Sequence, residues 1–348
     1  MEIFELSATC DGMDEFLTRM GDDNWMFMGE TSGYSVNFHN YLLANGINFK
    51  LVDPANLKLI IKSDKKTDRN DATVIATFLR LMDKGEISLS ISYMVDGVQN
   101  DLRDLCRYRE IAAKLKGQCH QCISAHMRIH EQHLKDDYDN LHTYKCQLMM
   151  RKAFSDDFVL MSLLDDYVYW MNRCDNIGRM FDESMYQTEG VKLLTTTPGI
   201  GSLTAIQIMS MMISIDRSQT ADKMGSYFGM AVSVKDSGGK EKHGHITRRG
   251  NSMMRSILGR VLNQFIMRSK DSSVMRYYDS HVDSMGKKKV HIATMNKILD
   301  IIFAVLKRGT PCVYRWILPD RPYHHHDPVS EVFIIHKSVN DTISFGCV

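Results

Sequence analysis

Residues 25–54 read WMFMGETSGYSVNFHNYLLANGINFKLVDP, and this stretch decides the fold class. Trp25-Met26-Phe27-Met28-Gly29 is a short apolar run that reaches Glu30. Ser35 to Ala44 then carries helical patterning up to Asn45-Gly46, and Ile47 to Val52 is a second apolar run closed by Asp53-Pro54. Two strand-length runs joined through a helix predict parallel strands in one sheet. Toward the N-terminus, Ile3-Phe4-Glu5-Leu6 reads as a further strand and Asp11 to Met20 as a helix closed near Gly21. The order strand, helix, strand, helix, strand predicts an α/β domain over residues 1–98. Glu30 then ends a strand, on the edge of an open α/β sheet where ligands gather.

The next informative segment is Lys65-Lys66-Thr67-Asp68-Arg69-Asn70-Asp71-Ala72. Asp68 and Asp71 are three residues apart, so on a helix they share a face, with Lys66 and Arg69 close by. Two carboxylates so placed repel, and a hard divalent cation such as Mg²⁺ is the functional compensation. The plain alternative is a solvated acidic helix start, favoured by the helix dipole. With Glu30 there are three carboxylates, short of the fuller cluster usual in two-metal phosphoryl transfer.

Composition narrows the partners. The 348 residues carry 43 Lys or Arg against 42 Asp or Glu, so the whole chain shows no bias toward nucleic acid or membrane. Between Lys235 and Arg308, however, 16 basic residues face 6 acidic ones, a patch that suits a polyanion. The 8 cysteines show no disulfide spacing, and no secretory signal is present, which predicts a reducing cytoplasm. The longest uncharged run, Leu193 to Ile215, is broken by Thr197-Pro198-Gly199-Ile200-Gly201. What remains is about 13 residues of helix, too short to span a membrane.

From Asp101 to about Thr188 the sequence is long, charged and of helix period, with Leu102, Leu105, Ile111 and Leu115 on one stripe and Leu160, Leu163, Leu164, Tyr167 and Met171 on another. Two helices packed as an antiparallel or coiled-coil arm would bury both stripes. Cys119, Cys122, His126, His130 and His133 look like zinc ligands. All five are expected on one uninterrupted helix, whereas a finger site draws ligands from two elements, so packing or solvation is the expectation. Residues 190–312 read as helical again, punctuated by a loop at Asp236-Ser237-Gly238-Gly239-Lys240. Ser237 there is either a turn serine or a nucleophile toward a phosphodiester, with Lys240, Lys242, Arg248, Arg249 and Arg255 following. The Thr197 to Ser202 segment is either a plain helix start or a helix-hairpin-helix turn whose N–H groups meet a DNA phosphate. The tail, residues 313–348, is unassigned; His324-His325-His326 within it reads as a surface tract.

Read in order, Gly29-Glu30-Thr31-Ser32-Gly33-Tyr34, Val52-Asp53-Pro54 with Lys58, Lys66 to Ala72, and Leu102-Arg103-Asp104-Leu105 with Arg107-Tyr108-Arg109 resemble the DEDD transposases of the insertion sequence one-ten (IS110/IS116/IS902-type) family. Thr197-Pro198-Gly199-Ile200-Gly201, Tyr227-Phe228-Gly229-Met230, Ser237-Gly238, Ile246-Thr247-Arg248-Arg249-Gly250-Asn251 and Gly286-Lys287-Lys288-Lys289 continue the order, over roughly residues 1–312. The resemblance implies a RuvC-like (RNase H-like) α/β domain at 1–98, a coiled-coil arm at 99–189 and a mainly α transposase domain at 190–312. It further implies Glu30, Asp68 and Asp71 as Mg²⁺ ligands and Ser237 as a nucleophile that links covalently to DNA. A noncoding guide RNA and a homo-oligomer, with acidic site and serine meeting across subunits, are also implied, in a bacterial or archaeal cytoplasm.

One departure from the family pattern bears on activity. The family's first Asp lies on an opening strand ahead of Glu2-Ile3-Phe4-Glu5-Leu6, and Asp11 and Asp14 fall in the following helix. The four-acid set therefore has three members here. The expectation is either a start upstream of Met1 or a truncated element copy with little strand transfer of its own. Two other readings stay open: a noncatalytic nucleic-acid-binding remnant, and a RuvC-like junction nuclease that does not need Ser237.

Overall fold

Helix α1 (Cys10–Met20) opens the N-terminal part of the computed structural model, followed by strand β1 (Phe27–Glu30), helix α2 (Gly33–Ala44), strand β2 (Phe49–Val52), helix α3 (Asp68–Asp83) and strand β3 (Ile91–Ser92). The structure describes residues 5–7, 9–20, 27–30, 33–47, 49–52, 68–87, 91–92, 97–130, 138, 140–237, 240–246, 250–270 and 272–312. These fall into two compact units, residues 1–96 and 97–348.

In the first unit the sheet order is β1-β2-β3. β1 and β2 run parallel from Phe27 opposite Phe49 to Glu30 opposite Val52, as the crossover through α2 requires. β3 adds an antiparallel edge, with Val52 opposite Ile91. Aromatic side chains connect the layers: Phe16 of α1 meets the rings of Phe27 and Phe38 edge-on at 5.4 and 5.0 Å, and Phe38 meets Phe49 at 5.5 Å. Leu42, Leu51 and Val52 are buried beside them. The expected strand at Ile3 to Leu6 is not borne out over Glu5 and Leu6, which are in no strand; Ile3 and Phe4 lie outside the described residues. Asp14 sits on α1, as expected, and its carboxylate accepts a hydrogen bond from Tyr41.

The second unit begins with the long helix α4 (Gly97–Ile129), followed by α5 (Tyr144–Ala153) and α6 (Phe158–Phe181). α4 and α6 pack antiparallel. Cys106, early on α4, shares a core with Ile177 and Phe181, late on α6, while Ile123 and Met127 share another with Leu160 and Leu164. Leu102 and Leu105 pack against the first of these cores as expected and Leu115 is half-buried, whereas Ile111 is exposed and its neighbour Ala112 is buried instead. Helix α5 was not anticipated. Its start is marked by Thr143, whose hydroxyl accepts from Cys146 N–H.

The remaining elements are α7 (Glu189–Thr195), α8 (Ser202–Met212), α9 (Ala221–Tyr227), the strands β4 (Val232–Ser237) and β5 (Lys240–Ile246), α10 (Ser252–Arg268), α11 (Ser273–Met285) and α12 (Lys287–Arg308). The uncharged run yields only the 11-residue α8, and no described helix is long and apolar enough to cross a membrane. Helix starts follow local chemistry: Thr188, Thr220, Asn251 and Ser272 each accept a hydrogen bond from the first turn they precede. The core holds Met211, Met224, Met230 and Met254 among Ile206, Ile257, Leu258 and Phe265. Cys106 lies in this core too, where burial pushes its thiol up to about 11 and keeps it neutral. All described cysteines are free thiols.

Candidate active site

Glu30 is the last residue of β1, at the carboxyl end of a strand in the parallel pair, as the sequence predicts. Asp68 is the first residue of α3, and Asp71 follows in its first turn, half-buried. Acidic residues at that turn oppose the positive end of the helix dipole, which helps explain why the chain becomes helical there. α3 packs against β1, so the acid-bearing helix and the strand that ends in Glu30 are neighbours in one unit. Three carboxylates make an all-oxygen donor set, the kind that suits Mg²⁺ rather than a metal preferring nitrogen or sulfur.

Ser237 ends β4 in the second unit, opposite Lys240 at the tip of an antiparallel hairpin. The expected glycine-rich loop is narrower than the sequence reading: Asp236, Ser237 and Lys240 are strand residues, and Gly238-Gly239 alone fall between the strands. Lys235 is in register with Lys242, which gathers basic residue types along the two strands that carry the serine. Lys66, Arg248, Arg249 and the His324 tract lie outside the described residues, and Arg69 is on α3.

Two further features belong to the second unit. Gly250 adopts φ +125°, and a Cβ there would stand 2.4 Å from the Tyr227 carbonyl oxygen, so only glycine fits. Asn251 next to it caps α10, its Oδ1 accepting from Met253 N–H and Met254 N–H at 2.9 and 3.2 Å. Arg255, one turn on, donates to the carbonyls of Phe228 and Gly250 at 3.0 and 3.4 Å, a bracing role for this turn. The glycine, the cap and the brace account for the Gly250-Asn251 motif.

The second feature is the turn between α7 and α8. Gly199 holds φ +78°, and Gly201, the residue before α8, supplies no side-chain cap, so the N–H groups of the first turn have no side-chain acceptor there. An open cleft beside it is lined by Thr196, Pro198, Gly201, Arg260, Gln264 and Arg268. The last three were not singled out from the sequence. Their spacing of four along α10 was the readable signal, because it puts two cations and an amide on one helix face.

Comparison with known proteins fits this organisation. A transposase family model of the DEDD IS110 type matches residues 4–130, which include Glu30, Asp68 and Asp71. Another, described as Transposase IS116/IS110/IS902 family, matches residues 191–279, which include the α7–α8 turn and Ser237. The chain is similar to the transposase for insertion sequence element IS1111A of Coxiella burnetii (strain RSA 493 / Nine Mile phase I), at 24% identity over 289 residues covering 80% of this chain and 77% of that protein. It is also similar to an uncharacterized 43.6 kDa protein of insertion element IS110 from Streptomyces coelicolor (strain ATCC BAA-471 / A3(2) / M145), at 27% identity over 122 residues covering 34% and 29% of the two chains. The matched segments define a transposase, a class of enzyme that acts on DNA. The chain belongs to the IS116/IS110/IS902 family.

Proposed function

We propose that this transposase cuts and rejoins DNA through two groups of residues: Glu30, Asp68 and Asp71, which hold Mg²⁺, and Ser237, which attacks the scissile phosphate. The observation that carries this reading is the packing of α3 on β1, a strand end and a helix start that bear all three carboxylates. Bound Mg²⁺ would supply Lewis-acid polarisation of phosphoryl oxygens. Ser237 gives up its hydroxyl proton and forms an Oγ–P bond as the phosphodiester P–O bond breaks; the departing DNA oxygen takes up a proton. A second DNA hydroxyl then reverses the exchange, restoring the serine and sealing the new junction.

The basic residues around the serine hairpin, with Lys66, Arg69, Lys240, Lys242, Arg248 and Arg249, neutralise the phosphate backbone. The uncapped start of α8 beside Arg268 adds N–H donors to a phosphate without reading bases. Residues 1–98 form a RuvC-like domain in this reading, 99–189 a coiled-coil arm and 190–312 the serine-bearing domain, with acids and serine meeting across subunits of a homo-oligomer. Choice of donor and target is delegated to a noncoding RNA, and the protein works in the cytoplasm.

The test mixes purified protein, element RNA, donor DNA and target DNA, and scores joined product and covalent protein–DNA adduct on a denaturing gel. Ser237→Ala is expected to lose both. Asp71→Asn is expected to lose them while leaving RNA binding intact. Joining by Ser237→Ala at the parent's rate would remove the serine from the mechanism.

A further inference from the structure

Cys119, Cys122 and His126 lie on α4 as expected, but the helix stops at Ile129 and His130 follows in a turn; His133 lies outside the described residues. His126 and His130, four residues apart, stand together with ring centroids 4.8 Å apart. Facing them is Asp157, the N-cap of α6. Its Oδ1 accepts from Leu160 N–H at 2.9 Å, and its Oδ2 lies 2.7 Å from His126 Nε2. One ligand atom from each of the three residues lies within 4.8 Å of the others.

We propose that His126, His130 and Asp157 form a site for a single divalent transition-metal ion of the zinc class, which clamps the end of α4 to the start of α6. The donor set is two imidazoles and one carboxylate, borderline ligands that select zinc, cobalt or nickel over the hard Mg²⁺. Two histidines at i and i+4 are a recurring chelating pair, and the third ligand comes from a separate helix, the very condition the sequence alone left unmet.

The geometry needs side-chain rotation only. Metal–ligand bonds of about 2.0–2.1 Å set tetrahedral ligand atoms roughly 3.3 Å apart. The widest spacing therefore closes, and the His126–Asp157 contact opens as the metal replaces the shared proton. Asp157 is already oriented, because its other oxygen is held by the Leu160 N–H, the kind of outer contact that fixes metal-bound carboxylates. The His126 and Asp157 side chains are 20% and 26% exposed, sheltered but within reach of an incoming ion. Three protein ligands leave the fourth position to water or a partner's donor. Cys122, one turn earlier, is exposed and outside the cluster.

The test uses the full chain, stripped with a chelator and titrated with Co²⁺ alone in Mg²⁺-containing buffer, read by the visible d–d bands. The parent is expected to show saturable tetrahedral-type bands, and Zn²⁺ to raise its melting temperature by selective binding to the folded state. His130→Gln and Asp157→Asn should each weaken Co²⁺ binding by at least about 10-fold, the least that a metal site loses with one of its supporting interactions. Both should fold, since His130 is exposed and asparagine keeps the cap acceptor for Leu160. Cys122→Ser should bind like the parent. Absence of bands and of a Zn²⁺ shift in the parent would overturn the site, as would parent-like binding by His130→Gln and Asp157→Asn.

Discussion

Replacing Glu110 on α4 with alanine tests how the long helix is anchored to the rest of its unit. The carboxylate accepts from Arg260 of α10 at both oxygens, 2.7 and 2.9 Å, and from Gln207 of α8 at 2.8 Å. Arg260 also donates to the Gln207 side-chain oxygen Oε1 at 3.2 Å, so three helices meet in one polar cluster. The side chains differ in exposure: Gln207 is 1% exposed, Glu110 20% and Arg260 44%. In Glu110→Ala, Arg260 turns to water, and the loss of its ion pair is screened to less than about 1 kcal/mol. Gln207 cannot do the same, and a buried amide deprived of its acceptor costs about 1–3 kcal/mol. Together these put the expected loss at about 2–3 kcal/mol. For a unit of this size that lowers the melting temperature by roughly 5–10 °C. Thermal melts followed by circular dichroism give the total, and hydrogen exchange across α4 assigns it to this helix. Arg260→Ala alone should cost less than Glu110→Ala. The double variant should show a coupling energy of at least about 0.5 kcal/mol, the level expected for residues in one network. A Glu110→Ala protein that melts within about 1 °C of its parent, with unchanged exchange in α4, would refute the reasoning.

Gly250→Ala is expected to destabilise by at least about 1–3 kcal/mol, because φ +125° and a carbonyl 2.4 Å from the new Cβ both oppose it; equal urea midpoints would contradict this. Asn251→Ala should cost about 1 kcal/mol through loss of the α10 cap, whereas Asn251→Asp, which keeps an acceptor, should retain most of it in the same denaturation experiment. Asp300 on α12 supplies a pH dependence. Burial, with Asp222 adding to it and Lys297 opposing it, raises its carboxyl to about 6. Its folded value lies above an unfolded value near ~3.9, so its contribution to stability is complete below about pH 4 and is lost as pH rises through about 6. After discounting for its partial exposure, the loss is about 1 kcal/mol. Asp300→Asn should flatten the stability profile between those pH values, and an unaltered slope would sink the assignment.

The sequence made the parallel pair β1–β2 legible because an apolar run, a helix-length pattern and a second apolar run leave few topologies open. Glu30 and the Asp68–Asp71 helix start were legible for the same reason: strand ends and helix starts are local. The hairpin carrying Ser237 was not, because between Val234 and Ile246 its strands are built from Lys, Asp, Ser, Glu, His and Gly, types that read as loop. Pairing across Gly238-Gly239 decides the matter, and pairing is not a property of either strand alone. Glu110 could not have been singled out, since Gln207 and Arg260 lie 97 and 150 residues away. Asp157 was hidden likewise: its role beside His126 depends on α6 folding back along α4. The exposed Ile111, between the packed Leu105 and the half-buried Leu115, shows how a single position can leave a stripe drawn from hydropathy alone.

The methionines in the second unit's core turn the protein into its own recorder of opening. Met211, Met224, Met230 and Met254 are sealed from solvent, while Met149, Met185 and Met267 stand exposed. A peroxide added to the intact protein oxidises the exposed thioethers directly, but reaches the sealed ones only in molecules whose core has come apart. The oxygen gained there is polar and sits badly among Ile257, Leu258 and Phe265, so each such event also hinders reclosure. The sequence of masses along a peroxide time course therefore orders the helices by how readily they part, with no label introduced.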